Sequence, residues 1–296
     1  MSSRSSAYAA VLLSLALAAL RIAAASPAPE PAPTAEDILA RAFEKHRKIQ
    51  SYSFVDYKMG YDTFVKEKEK EVRADAERSV PGSLKDRLEK EAGEESVLDD
   101  TDPSLKKGKN VYKFMKPFLC QLEVLESDFV PAMLIRTRQT YRPDKNPDVY
   151  YLKLRFSPVA VRRDIHNAEA SSLINSSWAV NLILMDYYRL NGTMKFEGER
   201  KFHDREAYVI SFGFGKNLVP APYEPDLEKW GVPNALGFRV KEAVGVLEKE
   251  KFSRVDFWID ERDSVIVRRD EFIGGRFHWR DEFHDIKLNH LTEKDF

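Results

Sequence analysis

The chain has 296 residues, of which 43% are hydrophobic and 11% aromatic, enough to build a substantial core. Its 47 Lys and Arg residues are nearly balanced by 48 Asp and Glu residues, so no field of one sign would attract nucleic acid. The single cysteine, Cys120, allows no internal disulfide and excludes a metal site built from several cysteines. These limits predict a globular protein that does not bind nucleic acid.

The first 25 residues have the pattern of a secretory signal peptide. Arg4 precedes an apolar run at 9–20, and small residues follow at 23–25. The run is about half as long as a membrane span needs, and Arg21 interrupts it. No cysteine follows the run to carry a lipid anchor. We therefore expect residues 1–25 to be cleaved and the protein to be periplasmic or secreted.

The segment after the signal peptide predicts a tether and then one domain. "SPAPEPAP", at 26–33, is proline-rich and predicts a stiff linker. From Thr34 the chain reads as an amphipathic helix that ends near Gln50, with Ile38, Leu39 and Ala42 at helical spacing. We assign 34–296 to a single domain, with an exposed, charged insertion at about 65–109.

Short strands with alternating apolar residues make up most of this domain. "VYKFMK" sets Tyr112 and Phe114 on one side, and "AYVISFGF" does the same for Tyr208 and Ile210. Each such segment has one apolar and one polar side. This alternation is typical of an antiparallel sheet with one face in the core, and it predicts an α+β fold.

One helix interrupts the strands. Residues 168–190 fit a long helix that is apolar on nearly all sides from Trp178 to Leu184, so it must be covered on more than one side. Two interpretations stay open: a core helix between two layers, or a lid whose inner surface also meets a ligand. Prolines and glycines at 215–237 predict a long loop.

The C-terminal strand is expected to be ordered up to the last residue. Its alternation changes parity once near His284, which predicts a β-bulge. Apolar residues continue to Phe296, which we expect to pack back on the fold.

This layout resembles the LolA-like superfamily of outer-membrane lipoprotein carriers and lipoprotein-sorting proteins. The resemblance rests on "ILARAFEKHRKIQSYSF", "VYKFMKPFLCQLEV" and the closing strands "VDFWIDERDSVIVRRDEF" and "DIKLNHLTEKDF". It implies an open, curved antiparallel sheet, a half-barrel, whose concave apolar face is covered by helices and binds acyl chains. It also implies a latch between the first helix and a strand, at His46 and Lys116, where the family's strand residue is arginine.

The resemblance therefore implies a non-catalytic periplasmic carrier of lipid or lipoprotein acyl chains that takes part in outer-membrane lipoprotein sorting. We expect a monomer without cofactor or metal, and an envelope membrane protein as a further candidate partner that gives or receives the cargo. The hollow should lie beneath the Trp178 helix. The lipid-binding candidates on the apolar face are Tyr112, Phe114, Leu122, Val124, Leu152, Leu154, Phe156, Trp178, Leu182, Tyr208, Ile210, Phe257 and Ile259.

Two other functions remain open at this point. The same fold with a filled core would be a periplasmic protein-binding module, and a hydrolase is the third hypothesis, although no Gly-x-Ser-x-Gly motif is present. His278, His284 and His290 recur every six residues, and we interpret them as exposed strand histidines rather than metal ligands. Asp256 and Asp260 are interpreted as solvated carboxylates on the polar side of a strand.

Overall fold

The computed structural model describes residues 32–61, 104–167, 170–215, 218–250 and 252–296. The chain divides at Thr34, and the account below concerns the unit Ala35–Phe296. The predicted signal peptide and most of the predicted charged insertion lie outside the described residues. Within the described ranges, no helix has the length and apolar character that crossing a membrane requires.

Eleven strands of the described residues form one antiparallel sheet with the order β6-β5-β4-β3-β2-β1-β11-β10-β9-β8-β7. The strands are β1 (Ser51–Tyr61), β2 (Leu105–Met115), β3 (Leu119–Ser127), β4 (Arg138–Tyr141), β5 (Val149–Lys153), β6 (Val161–Asp164), β7 (Thr193–Phe202), β8 (Arg205–Gly213), β9 (Phe252–Asp260), β10 (Ile266–Ile273) and β11 (Arg276–Leu288). β6 and β7 are the two edges and do not pair with each other, so the sheet is open. The predicted antiparallel α+β fold is confirmed, and residues 105–109, which we placed at the end of the insertion, belong to β2.

The helices cover one face of this sheet. They are α1 (Ala35–Lys48), α2 (Ser171–Asn175), α3 (Trp178–Asn191) and α4 (Gly237–Glu250). The core lies between α1, α3 and α4 and the alternate strand residues that face them, because both sides contribute apolar side chains to one continuous cluster. Below, we call this side of the sheet the helix-covered face and the other side the opposite face.

The predicted single helix at 168–190 is wrong, because the chain forms two helices there. Ser177 has an extended backbone conformation, and its side-chain oxygen accepts a hydrogen bond from the Val180 N–H. Serine is a favoured N-cap residue because it satisfies an N–H group that the helix itself leaves unpaired. The chain therefore ends α2 at Asn175 and starts α3 at Trp178.

Helix α4 follows the predicted loop at 215–237 and was not predicted. Its Arg239 side chain is buried, and its guanidinium donates to the carbonyl oxygens of Ile165 and Asn167 and to Ser171 Oγ. These bonds tie α4 to the segment that leads into α2. A buried arginine is stable only when its donors are paired, which the two carbonyls achieve here.

The end of the chain packs as predicted. Between Val55 and Ser53, β1 advances two residues while β11 advances three, from His284 to Lys287, which is a β-bulge beside His284. Asp285 within the bulge has a φ of 51°. The Phe296 carbonyl accepts a hydrogen bond from Gln121 Nε2 at 3.3 Å, so the tail is attached to β3.

Candidate functional site

Most of the predicted lipid-binding residues face the helices, as the alternation indicated. Of the thirteen, ten are buried in the core cluster, and Val124 is packed partly buried against it. The other two lie past the end of β5 at Lys153. Leu154 is 38% exposed and Phe156 is 86% exposed, so Phe156 does not belong to this face.

The space beneath Trp178 is filled. The Trp178 ring stacks on Tyr52 with centroids 4.2 Å apart, and Tyr52 stacks on Phe114 at 4.8 Å. The backbone N–H of Trp178 donates to the Tyr52 hydroxyl at 2.9 Å. The gap that remains beside Trp178 and Leu182 has a volume of about 10 Å³, which is too small for a lipid. The predicted hollow is therefore absent directly beneath Trp178, although Asn181 and Tyr188 of the same helix line a larger cavity that is described below.

An apolar cavity of about 440 Å³ lies farther along the same face, against β2, β3, β4 and β5. This volume is within the range of small-molecule sites. Gly108 in β2 has no side chain, and the Phe129 ring lies next to it. The apolar side chains that line this cavity are Leu122, Val124, Phe129, Val130, Leu134, Leu152 and Leu154.

A second cavity of about 570 Å³ adjoins the first. The two cavities share Lys58, Phe129, Ser172 and Trp279 as lining residues, and Ser172 is exposed at their mouth. The polar and charged lining of the second cavity includes Asp56, Asn175, Ser176, Asn181, Arg269, Glu271, His278 and Asp281. We call the first the apolar cavity and the second the polar cavity.

The charged groups of the polar cavity pair with one another. Arg269 contacts Asp281 Oδ2 at 2.6 Å and Glu271 Oε1 at 3.3 Å, and it donates to Asn181 Oδ1 at 2.7 Å. Lys58 Nζ lies 3.3 Å from Asp56 Oδ2 and 3.9 Å from Asp281 Oδ1. The buried group therefore contains two bases and three acids.

Asp56 is an acid of this group that has a raised pKa and an oxygen without a partner. Burial raises the pKa of its carboxyl to about 6, with Lys58 opposing that rise and Asp281 adding to it. Among the described residues, Asp56 Oδ1 and Asn175 Oδ1 are buried without a hydrogen-bond partner. Both atoms are acceptors, so the polar cavity could satisfy a ligand group that donates hydrogen bonds.

The predicted latch residues meet at the end of α1. Lys116 Nζ donates to the carbonyl oxygens of His46 at 3.3 Å and Arg47 at 2.7 Å, so it binds the helix backbone and not the imidazole. A cation at this end also favours the helix dipole. The His46 ring is buried, and that burial, with the nearby Lys116, lowers its pKa to about 4. Whether this contact acts as a latch remains a prediction.

The sequence interpretation missed the charged residues of the site. Asp56 and Lys58 continue the same parity as Tyr52 and Phe54 in β1, which was the signal that they face the helices. Asp256 and Asp260, which we took as solvated, are 8% and 3% exposed, so that interpretation is wrong.

His278, expected to be exposed, is 6% exposed and lines the polar cavity. Asp256 accepts a hydrogen bond from Ser211 Oγ at 2.6 Å, and Asp260 accepts one from Arg205. Partners of this kind are what allow carboxylates to be buried.

The site is thus a pair of adjoining cavities under the helices of an open antiparallel sheet. No family model matches the chain, and no curated protein matches it. Among solved structures, the lipoprotein LppX of Mycobacterium tuberculosis is similar at 10% identity and a TM-score of 0.42, over 88% of this chain and 99% of that one. An uncharacterised conserved protein of Thermus thermophilus is similar at 10% identity and a TM-score of 0.41, over 88% and 91%.

A LolA superfamily protein of Nitrosomonas europaea is similar at 10% identity and a TM-score of 0.30, over 90% of this chain and 98% of that one. One of the similar structures is therefore a member of the superfamily that the sequence resembles. At TM-scores below 0.5 the likeness carries no argument about what this chain binds, and the function rests on the cavities.

Proposed function

We propose that this chain is a non-catalytic binding and carrier protein for the acyl chain of a lipid or lipoprotein. The observation that supports the proposal is the apolar cavity of about 440 Å³, which adjoins a charged cavity and reaches an exposed mouth at Ser172. A ligand with an apolar tail and a polar head fits such a pair of compartments better than a ligand of one polarity.

The apolar cavity would supply the affinity. Each methylene removed from water contributes roughly 0.8 kcal/mol, so about ten buried methylenes would contribute on the order of 8 kcal/mol before the cost of ordering the ligand. The lining side chains Leu122, Val124 and Leu152 would contact the tail through apolar surface alone. Polar residues such as Asn110, Thr137 and Gln139 also line this cavity, so the apolar side chains supply the contribution of the buried methylenes and not the whole wall.

The polar cavity would orient the ligand. A head group with hydroxyl or amine donors would satisfy Asp56 Oδ1 and Asn175 Oδ1. We propose no catalytic role for the charged residues, because Arg269 and Asp281 are engaged with each other at 2.6 Å. The signal-like first 25 residues support export to the periplasm, where the carrier would serve outer-membrane lipoprotein sorting.

The test is a matched pair of Val→Trp variants. Val124→Trp fills the apolar cavity, whereas Val161→Trp adds the same side chain at an exposed position of the edge strand β6. We expect Val124→Trp to weaken binding of a fluorescent monoacylglycerol probe at least tenfold and to remove lipid that co-purifies with the wild type, as measured by mass spectrometry. Val161→Trp should bind as the wild type does. Equal binding by the wild type and Val124→Trp would contradict the proposal.

A peptide-binding role is a second candidate because one sheet edge is free. All four residues of β6 are exposed, and in the described chain β6 pairs on one side only, with β5. An extended peptide could add to that edge through backbone hydrogen bonds. The same two variants separate the functions, since a peptide at β6 would respond to Val161→Trp and not to Val124→Trp.

A further inference from the structure

Two histidines and a glutamate meet on the opposite face of the sheet, away from both cavities. His203 is in the two-residue turn between β7 and β8, whereas Glu282 and His284 are on β11. In the sheet order, β9 and β10 separate β8 from β11, so the turn must fold back across these strands to reach β11. One ligand-type atom from each of the three residues lies within 4.8 Å of the others. We propose that His203, Glu282 and His284 form a Zn²⁺ site.

The distances suit a tetrahedral ion. His284 Nε2 lies 3.3 Å from Glu282 Oε2, and His203 Nε2 lies 4.0 Å from the same oxygen. Bond lengths of about 2.0–2.1 Å in a tetrahedral Zn²⁺ site place neighbouring ligand atoms about 3.3 Å apart. The His284 pair already has this spacing. His203 lies farther away than this spacing and would have to move toward the other two ligands, which its position in an exposed turn allows.

Neighbouring groups orient the ligands. Glu282 Oε1 faces Arg268 at 3.7 Å and Arg280 at 3.8 Å, which turns Oε2 toward the histidines. Asp270 contacts both arginines, at 2.6 and 2.7 Å, and so offsets much of their positive charge. The His284 ring packs edge-on against Tyr57 with centroids 4.7 Å apart. The carboxylate and one imidazole are thus held in place before an ion arrives.

The ligand set favours zinc over magnesium or calcium. Imidazole nitrogens suit Zn²⁺ and related transition metals, whereas Mg²⁺ and Ca²⁺ prefer oxygen ligands alone. Two histidines and one carboxylate leave a fourth position for water or a ligand oxygen. Both histidines also line a cavity of about 540 Å³ on this side, which leaves room for that fourth ligand.

A bound ion would connect the β7–β8 turn to β11, because its ligands come from both. Because the metal binds the folded arrangement of three separated ligands, it would stabilise the native state by mass action. The histidines at six-residue spacing gave no indication of this site, because only His284 of the three belongs to it. His203 is far from Glu282 in the chain, and only the folded sheet brings them together.

The test uses the full chain, purified without a polyhistidine tag and stripped of metal with a chelator. His203→Asn removes one ligand, and Asn tolerates the left-handed backbone of that position, where φ is 54°. His284→Gln removes the second ligand. The matched controls are His166→Gln and His290→Gln, whose rings contact Asp164 and Ser53 and take no part in the cluster.

We expect calorimetric titration of the wild type and both controls to show one Zn²⁺ per chain and no binding of Mg²⁺. His203→Asn and His284→Gln should bind Zn²⁺ at least tenfold more weakly, and Zn²⁺ should no longer raise their thermal midpoint. Equal midpoints of the metal-free proteins would show that the variants fold. Absence of Zn²⁺ binding by the wild type, or unchanged binding by both ligand variants, would overturn the proposal.

Discussion

The two halves of the helix-covered face differ in how the helices fill it. Where the start of α3 meets the sheet, Trp178 stacks on Tyr52, and a gap of only about 10 Å³ remains. Near α2 the small side chains of Ser171, Ser172 and Ser176 line cavities of about 570 and 440 Å³. We call these the packed half and the hollow half. Large side chains on the covering helices thus fill the space above the sheet, and small ones leave it open.

Tryptophan truncation in each half gives the largest expected effect. Trp178→Ala should lower the free energy of unfolding by about 3–5 kcal/mol, because it leaves a void in a region without free space. Trp279→Ala should cost less, since Trp279 already borders both cavities and is only partly buried. Urea denaturation measures both values. A larger loss for Trp279→Ala would reverse the comparison.

The buried charges of the hollow half are the next target. Arg269→Met should lower the free energy of unfolding by about 3 kcal/mol, because Asp281 would keep a buried charge without its closest partner. In a double-mutant cycle with Asp281→Asn, the combined loss should be smaller than the sum of the single losses. Additive losses would indicate that the pair makes no energetic contribution to the polar cavity.

The pH dependence of the free energy of unfolding tests the raised pKa values of the buried carboxyls. Burial raises the pKa of Asp56 to about 6 and that of Asp256 to about 6, from a usual value of 3.8. The folded state therefore binds more protons than the unfolded state between these values. As pH rises from about 4 through about 6, each of these carboxyls should lower the free energy of unfolding by at most about 1.4 kcal/mol per pH unit, whereas His46, whose burial lowers its pKa to about 4, should raise it by a similar amount over the same range. The two carboxyls together outweigh the one histidine, so the net free energy of unfolding should fall.

Asn substitution assigns this slope to each side of the sheet. Asp56→Asn should reduce the part of the pH dependence of the free energy of unfolding that comes from the hollow half. Asp256→Asn should reduce the part that comes from the opposite face. Asp144→Asn, at a half-exposed position in a loop, serves as the control. Urea denaturation at a series of pH values provides the profiles, and an unchanged slope in both buried-site variants would contradict the assignment.

The contact between Lys116 and α1 should have the smallest effect. Lys116→Met removes the donor to the His46 and Arg47 carbonyls and should cost about 1 kcal/mol. Lys48→Met, which removes an exposed cation paired with Glu44, should cost less than about 0.5 kcal/mol. Equal losses would show that the Lys116 contact adds nothing to the attachment of α1. Hydrogen exchange at residues 45–48 would locate the change.

The sheet could be predicted from the sequence because the alternation of apolar and polar residues along a strand indicates directly which side of the strand faces the core. Tyr112 and Phe114, or Tyr208 and Ile210, occupy the face that their spacing indicated. The bulge beside His284 was also readable, since an extra residue reverses the parity of every later side chain.

The hollow could not be located in this way. Its position depends on which helical residues dock over which strands. Nothing in the sequence indicates that Ser172 of a helix and Leu152 of a strand line the same cavity. The break at Ser177 was missed because serine is compatible with a helix interior as well as with an N-cap. The zinc ligands were missed because a turn and a strand bring them together across the sheet.

The most direct test of the proposed function is a crystal structure of the chain soaked with a monoacylglycerol that carries a bromine atom at the end of its acyl chain. We predict an anomalous bromine peak in the apolar cavity beside Leu122 and Leu152, with the hydroxyl groups of the head toward Asp56 and Asn175 in the polar cavity. A peak between Trp178 and Tyr52, or a cavity that stays free of the monoacylglycerol at saturating concentration, would contradict the proposal.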